Sequence, residues 1–217
     1  MRVAVLHDLA AAERAWPVLA AAIRGQGTSA TVVTGNATPY GADEHTRLQT
    51  LDRLLDWLAQ LDQPVYVLPG RADVPERAVL LAIANHEITH ARVQLVHGLP
   101  AFLDGEYVVC GYGGDLLETE GPTQEVLAYP RWRAELALHG LRRLDQLRLL
   151  LFHGGPASST VIAHLIKEYA PRLACVGGEA PETRWVGSSL VVVPGAAHAG
   201  RLAVVDLVQR RAELLTA

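Results

Sequence analysis

The feature that most constrains this chain is its early alternation of short β-branched runs with longer stretches of helical periodicity. Residues 3–6 read as a strand and 11–24 as a helix. Residues 30–34 read as a strand and 44–61 as a helix, with Leu48, Leu51, Leu54, Leu55 and Leu58 on one face. Residues 65–68 read as a third strand and 75–84 as a third helix. Such a βαβαβα opening demands a parallel sheet with right-handed crossovers. The middle changes character. Residues 92–97, 101–103 and 107–111 read as three short strands in a meander. A Gly-, Glu- and Thr-rich loop follows over 113–124, then a helix over about 130–146. Residues 148–152 form an apolar strand, and 158–169 a helix with Ser158 or Ser159 as its N-cap. The end is strand-rich, over 173–176, 183–186, 190–193 and 202–207. No internal repeat and no linker-like segment interrupts the pattern. One α/β domain spanning 1–217 is therefore expected, with two sheets face to face and helices outside both.

Composition excludes several classes. The 217 residues are 50% hydrophobic and 19% charged, which argues for a packed core and against a disordered chain. No apolar run approaches the length of a membrane span. The first run, 3–6, is too short for a signal-peptide core, so a cytoplasmic location is expected and no membrane contact. The net charge is −4 and no dense basic block occurs, which argues against nucleic acid as a partner. Cys110 and Cys175 each end an apolar run, so both are expected as buried free thiols.

In open parallel sheets, ligands bind beyond the carboxyl ends of the strands. The residues placed there are His7-Asp8-Leu9-Ala10, Gly35-Asn36, Pro69-Gly70-Arg71-Ala72-Asp73, His153-Gly154-Gly155-Pro156 and Gly177-Gly178-Glu179-Ala180. Five strand ends, most with a glycine and a polar side chain, carry more information than any one of them.

In that order the chain resembles the calcineurin-like metallophosphoesterases of the small bacterial branch. The family's motif series is Asp-x-His, Gly-Asp, Gly-Asn-His-Asp/Glu, a lone His after a strand, and Gly-His-x-His. Asp8-Leu9-Ala10 stands at the first motif, Gly35-Asn36 at the second and Gly70-Arg71-Ala72-Asp73 at the third. His153 stands at the fourth and Gly177-Gly178-Glu179-Ala180 at the fifth. The stretch 191–195 followed by a strand ending at Leu207 is similar to the family's C-terminal hairpin. The resemblance covers nearly the whole chain and implies a four-layer α/β/β/α sandwich.

The family's chemistry rests on two metal ions activating a bridging hydroxide for attack on phosphorus. The resemblance puts the ligand positions on Asp8, Ala10, Asn36, Arg71, His153, Gly178 and Ala180. Only Asp8 and His153 keep the expected type. Asn36 stands where a bridging carboxylate belongs, and Arg71 places a permanent cation where a neutral ligand belongs. The family's catalytic His position is Ala72. An internal Asp8–Arg71 ion pair in place of the metal cluster is the expectation, at about 4 kcal/mol for unit charges 4 Å apart at an effective dielectric near 20. His7, Asn36, Arg71 and His153, with Glu179 and His198 nearby, then form a pocket suited to a small phosphorylated or anionic ligand. Backbone N–H groups of Gly35, Gly70, Gly154 and Gly177 are expected to assist. The family resemblance also leaves two other readings open. One is an active phosphoesterase with a single Mn, Zn or Fe ion held by Asp8, Asn36 and His153, with Glu179 assisting. The other is a homo-oligomeric scaffold with a vestigial pocket. In the leading reading no cofactor is expected, and Asp8 and His153 are the residues nearest the family's catalytic roles.

Other motifs carry less. His86-Glu87-Ile88-Thr89-His90 matches the zinc-protease pattern, which needs a helix to put both imidazoles on one face. The preceding helix is expected to end near residues 84–85, which takes that context away. Gly111-Tyr112-Gly113-Gly114 is a tight loop rather than a dinucleotide site. Asp73-Val74-Pro75-Glu76 reads as a helix capping box. Asp115, Glu118 and Glu120 form a solvated acidic loop, and Trp132 is assigned to packing or subunit contact.

Overall fold

The structure is a computed structural model that describes residues 1–119 and 126–217. β1 (Arg2–Leu6) leads through a single 3-10 turn (Glu13–Ala15) to α1 (Trp16–Gly25). β2 (Ala30–Val33), α2 (Glu44–Ala59), β3 (Val65–Val67), α3 (Glu76–Thr89) and β4 (Val93–Leu95) follow. Then come β5 (Ala101–Leu103), β6 (Tyr107–Tyr112), β7 (Asp115–Leu117), β8 (Ala128–Pro130) and α4 (Arg131–Leu138). β9 (Leu147–Phe152), α5 (Thr160–Tyr169), β10 (Leu173–Val176), β11 (Glu182–Val186), β12 (Ser189–Val193), β13 (Arg201–Asp206) and β14 (Arg211–Thr216) complete the chain.

One sheet has the order β14-β13-β1-β2-β3-β4 and the other β11-β12-β10-β9-β6-β5. β1 to β4 are parallel, as are β6, β9, β10 and β12. Antiparallel partners flank the parallel centres: β13 and β14 in the first sheet, β11 and β5 in the second. The period-2 alternation of each strand distributes its side chains between two apolar layers. Val3, Val5, Val32, Tyr66, Leu149, Leu151, Cys175 and Val192 pack between the sheets. Ala4, Leu6, Val33 and Val67 pack instead against α1, α2 and α3 through Leu19, Leu51, Leu54, Leu58 and Val79. On the far side Leu150, Phe152, Ala174 and Val176 meet Val161, Leu165 and Ile166 of α5. This is the four-layer α/β/β/α arrangement. Each buried Leu of the α2 stripe contributes about 2 kcal/mol relative to exposure, so the stripe docks the helix decisively.

Several sequence expectations change. Residues 92–97, 101–103 and 107–111 are not one meander. β4 is the edge of the first sheet, while β5 and β6 belong to the second. The chain crosses between sheets here, tied by a His97–Gly111 bridge and a Gly98 N–H to Gly111 carbonyl bond of 2.7 Å. α3 runs to Thr89 instead of stopping near 84, because the Thr89 hydroxyl folds back onto the His86 carbonyl at 3.0 Å and lets a β-branched residue close the last turn. The helix expected over 130–146 divides into α4 and a 3-10 segment, His139–Arg143. Part of the loop expected over 113–124 pairs as β7 with β8, and Glu118 pairs with Arg131 and accepts from Thr160, while Glu120 and residues 121–124 lie outside the described residues. β14 escaped notice because it is a charged edge strand, half in solvent. Cys110 and Cys175 are free and buried, on opposite faces of the second sheet. Among the described residues, no helix is long and apolar enough to cross a membrane.

Candidate functional site

The loops after β1, β2, β3, β9 and β10 meet at one edge of the sandwich, and glycine makes the meeting feasible. A Cβ on Gly70 would run into the Asn36 side-chain oxygen, and one on Gly177 into the His153 carbonyl and the His7 ring. Gly35 sits at φ 78 with its Cα side facing Gly70. Only residues without a side chain permit such an approach of three backbones.

Asp73 binds two of these loops together. Its carboxylate is fully buried. It accepts from Gly70 N–H at 2.6 Å, Ala37 N–H at 2.9 Å, Thr38 N–H at 2.7 Å and the Thr38 hydroxyl at 2.8 Å. Burial raises its pKa, and these donors pull the other way. The cap of α3 is Pro75, so Asp73 does not serve as the capping-box residue the sequence suggests. Its role is to set the Gly70 and Ala37 turns.

The side chains form a compact polar group. His7 and His153 stand with ring centroids 5.3 Å apart, one from each sheet. Both direct Nδ1 at the Thr34 carbonyl, at 3.3 Å and 3.1 Å. A carbonyl can only accept, so each Nδ1 carries a proton and the neutral ring presents Nε2 as its lone pair. His7 is buried, and that burial, with repulsion from His153 and against attraction from Asp8, lowers its pKa to about 4. Asp8 adopts φ 58, a conformation that Asp tolerates better than most residues, and its N–H donates to the Gly35 carbonyl. One Asp8 oxygen accepts from the Asn36 amide at 3.2 Å and the other faces His198 Nδ1 at 3.6 Å. The remaining Asn36 oxygen accepts from Ala72 N–H at 2.9 Å.

His7, Asp8, Asn36, His153 and His198 are thus brought together as the sequence places them. Two expectations are not met. Arg71 does not pair with Asp8. Its guanidinium is half exposed and lies 3.4 Å from Asp115, a carboxylate expected in a solvated loop. The β7 backbone, held by Asp115 N–H to the Leu127 carbonyl and Leu127 N–H to the Arg71 carbonyl, brings that carboxylate alongside. Glu179 is exposed, and its backbone carbonyl rather than its carboxylate is engaged, by Ala196 N–H and Arg201. Of the four glycine N–H groups expected to assist, Gly70 is committed to Asp73 and Gly177 to the Phe152 carbonyl. Gly35 and Gly154 meet no protein acceptor among the described residues.

Sequence reasoning missed Arg14. It lines an open groove beside the site together with Ala10, Ala11, Glu13 and His198. The expected helix over 11–24 hid it, because the regular helix begins only at Trp16 and the preceding turn presents Arg14 to the groove. Thr34 was missed as well, since its contribution is a backbone carbonyl.

Two sets of three His, Asp or Glu donors lie within 4.8 Å of one another among the described residues: Asp56, His86 and His90, and Glu135, His164 and Glu168. Neither includes Asp8, His153 or His198.

Residues 22–216 match the family described as metallophosphoesterase, calcineurin superfamily. No curated protein matches the chain. Among solved structures, TT1561 of Thermus thermophilus is similar at 29% identity and a TM-score of 0.92, covering 99% of this chain and 98% of that one. A structure reported as that of a novel archaeal phosphodiesterase is similar at 10% identity and a TM-score of 0.62, with each chain fully covered.

Proposed function

The chain belongs to the metallophosphoesterases of the calcineurin superfamily, and from that premise we propose that its strand-end site binds a small phosphorylated or other anionic ligand without a dinuclear metal centre. The observation that carries this reading is how the remaining donors are used. A dinuclear centre requires a cage of carboxylate and imidazole lone pairs around each ion. Here the Asn36 amide spends its N–H on Asp8 and its oxygen on Ala72, and Asp8 turns its other oxygen to His198. Ala10, Ala72, Gly178 and Ala180 offer no side-chain donor. The residues present do not fit the family's metal pair.

What remains suits an anion. The N–H groups of Gly35 and Gly154 and the ring of His198 lie at the strand ends, Arg14 lines the adjoining groove, and the His153 Nε2 lone pair can accept from a phosphoryl hydroxyl. A phosphoryl group takes such donors as charge-assisted hydrogen bonds. Asp8 then acts as a positioning residue, orienting Asn36 and His198 while opposing the ligand's charge. At about 6 Å and an effective dielectric near 20, that opposition is about 3 kcal/mol, which screening at an open groove reduces to roughly tenfold in affinity.

The test is calorimetric titration of metal-free protein with inorganic phosphate and a nucleoside monophosphate. Binding is expected without added metal. Arg14→Ala is expected to weaken it, and Asp8→Asn, which keeps a residue at home at φ 58, to tighten it by roughly tenfold. Manganese-dependent turnover of p-nitrophenyl phosphate that Asp8→Asn abolishes would overturn the reading in favour of a phosphoesterase with a single ion at Asp8, Asn36 and His153. Absence of phosphate binding at millimolar concentration would overturn it in favour of a vestigial pocket.

A further inference from the structure

The extension of α3 to Thr89 restores the context that the His-Glu-x-x-His segment was expected to lack. His86 lies in the last turn of the helix and His90 is its C-cap, four residues on. Their rings are 4.5 Å apart between centroids. α2 packs beside α3 and supplies Asp56 from its own last turns, and the three donor atoms lie within 4.8 Å of one another. His86 Nε2 is hidden from solvent and has no hydrogen-bond partner among the described residues. A buried polar atom without a partner is costly, and a bound ion is one way it is satisfied. Asp52 stands one turn before Asp56 on α2 and adds negative charge towards His86.

We infer that Asp56, His86 and His90 form a binding site for one borderline-soft divalent cation, zinc foremost, clamping the C-terminal ends of α2 and α3. Two imidazoles and a carboxylate are the donor types that zinc takes at about 2.0–2.2 Å, which sets tetrahedral ligand atoms roughly 3.3 Å apart. Exposed Asp56 and His90 close the remaining ångström or so by rotamer adjustment. A water completes the fourth position. The peptidase role of this motif does not follow, because Glu87, which would act as the base, accepts from the Leu95 N–H at 3.2 Å and ties α3 to β4. The site is a structural clamp. It lies about 15 Å along α3 from Glu76, at the end remote from the strand-end loops, and is independent of the function proposed above. In the second cluster the carboxylates are already paired: Glu135 is held by Arg131, and Glu168 by Arg142 and His164.

The test uses the full chain, stripped with a chelator and titrated with Zn2+ by calorimetry and with Co2+ by visible absorption. One equivalent is expected to bind, with the visible bands of tetrahedral Co2+ and a rise in melting temperature. His90→Ala and Asp56→Asn, both at exposed positions, are each expected to weaken Zn2+ by at least about tenfold, and Asp8→Asn to leave it unchanged. No binding below millimolar Zn2+ overturns the inference. So does stoichiometric binding that survives both variants, or binding lost in Asp8→Asn, which places the ion at the strand ends.

Discussion

His97 shows how one half-buried ring ties local chemistry to stability. It packs against the rings of Tyr112 and Tyr129, with centroids 4.4 and 5.3 Å away, and its Nδ1 accepts from the Gly113 N–H at 3.0 Å. That bond needs a lone pair, so the ring is held neutral, and burial lowers its pKa to about 4. The unfolded chain, with an ordinary histidine near 6.5, binds the proton first. Stability from this group is therefore full above about pH 6.5 and is lost as pH falls towards 4, by up to about 3 kcal/mol. His7 titrates in the same direction. Urea unfolding at pH 7.5 and pH 5 is expected to show the loss, and His97→Asn, whose side-chain oxygen still accepts from Gly113, is expected to reduce it by roughly half, His7 keeping its own share. An unchanged slope would assign the acid sensitivity elsewhere.

At the scale of elements, helix ends decide which side chains reach the surface and in what company. α5 begins with Ser159 accepting from the Ile162 N–H and ends at Ala170, which adopts φ 42 and ψ 53. The left-handed region is strained for alanine and free for glycine. Ala170→Gly is expected to stabilise the protein by about 0.5–1 kcal/mol, read as a shift of the urea midpoint at constant slope. The end of α3 matters in another way. Had it stopped near residue 84, His86 and His90 would not share a face, and Asp56 would have no imidazole beside it.

At the scale of the molecule, the site exists because two sheets bring their strand ends within one side chain's length. His7 and Asn36 come from the first sheet and His153 from the second, and Thr34 binds both imidazoles through one carbonyl. Gly177 sits at this seam, with the His153 carbonyl and the His7 ring against its Cα. Gly177→Ala therefore cannot be absorbed by a flexible side chain. It is expected to cost about 2 kcal/mol or more and to move the histidine resonances of both His7 and His153 in NMR spectra. Gly105→Ala is the control for a glycine with open space but a strained φ, and is expected to leave those resonances in place.

The layer order was legible in the sequence, because burial on both faces of a central strand writes itself as a continuous apolar run, and helical docking as a Leu stripe such as 51, 54, 55 and 58. The gathering of His7, Asp8, Asn36, His153 and His198 was legible too, since strand ends of parallel sheets share one edge. Pairings were not. Arg71 meets Asp115 rather than Asp8 because β7 pairs beside it, and that pairing is set by residues more than forty positions away. Arg14 reaches the groove because a helix starts at Trp16, and Asp56 meets His86 across thirty residues because α2 and α3 pack side by side. Periodicity is a local property that a sequence carries directly. Which charge faces which is decided only when packing fixes distances between segments remote in the chain, and it is on those distances that both the strand-end pocket and the α2–α3 clamp depend.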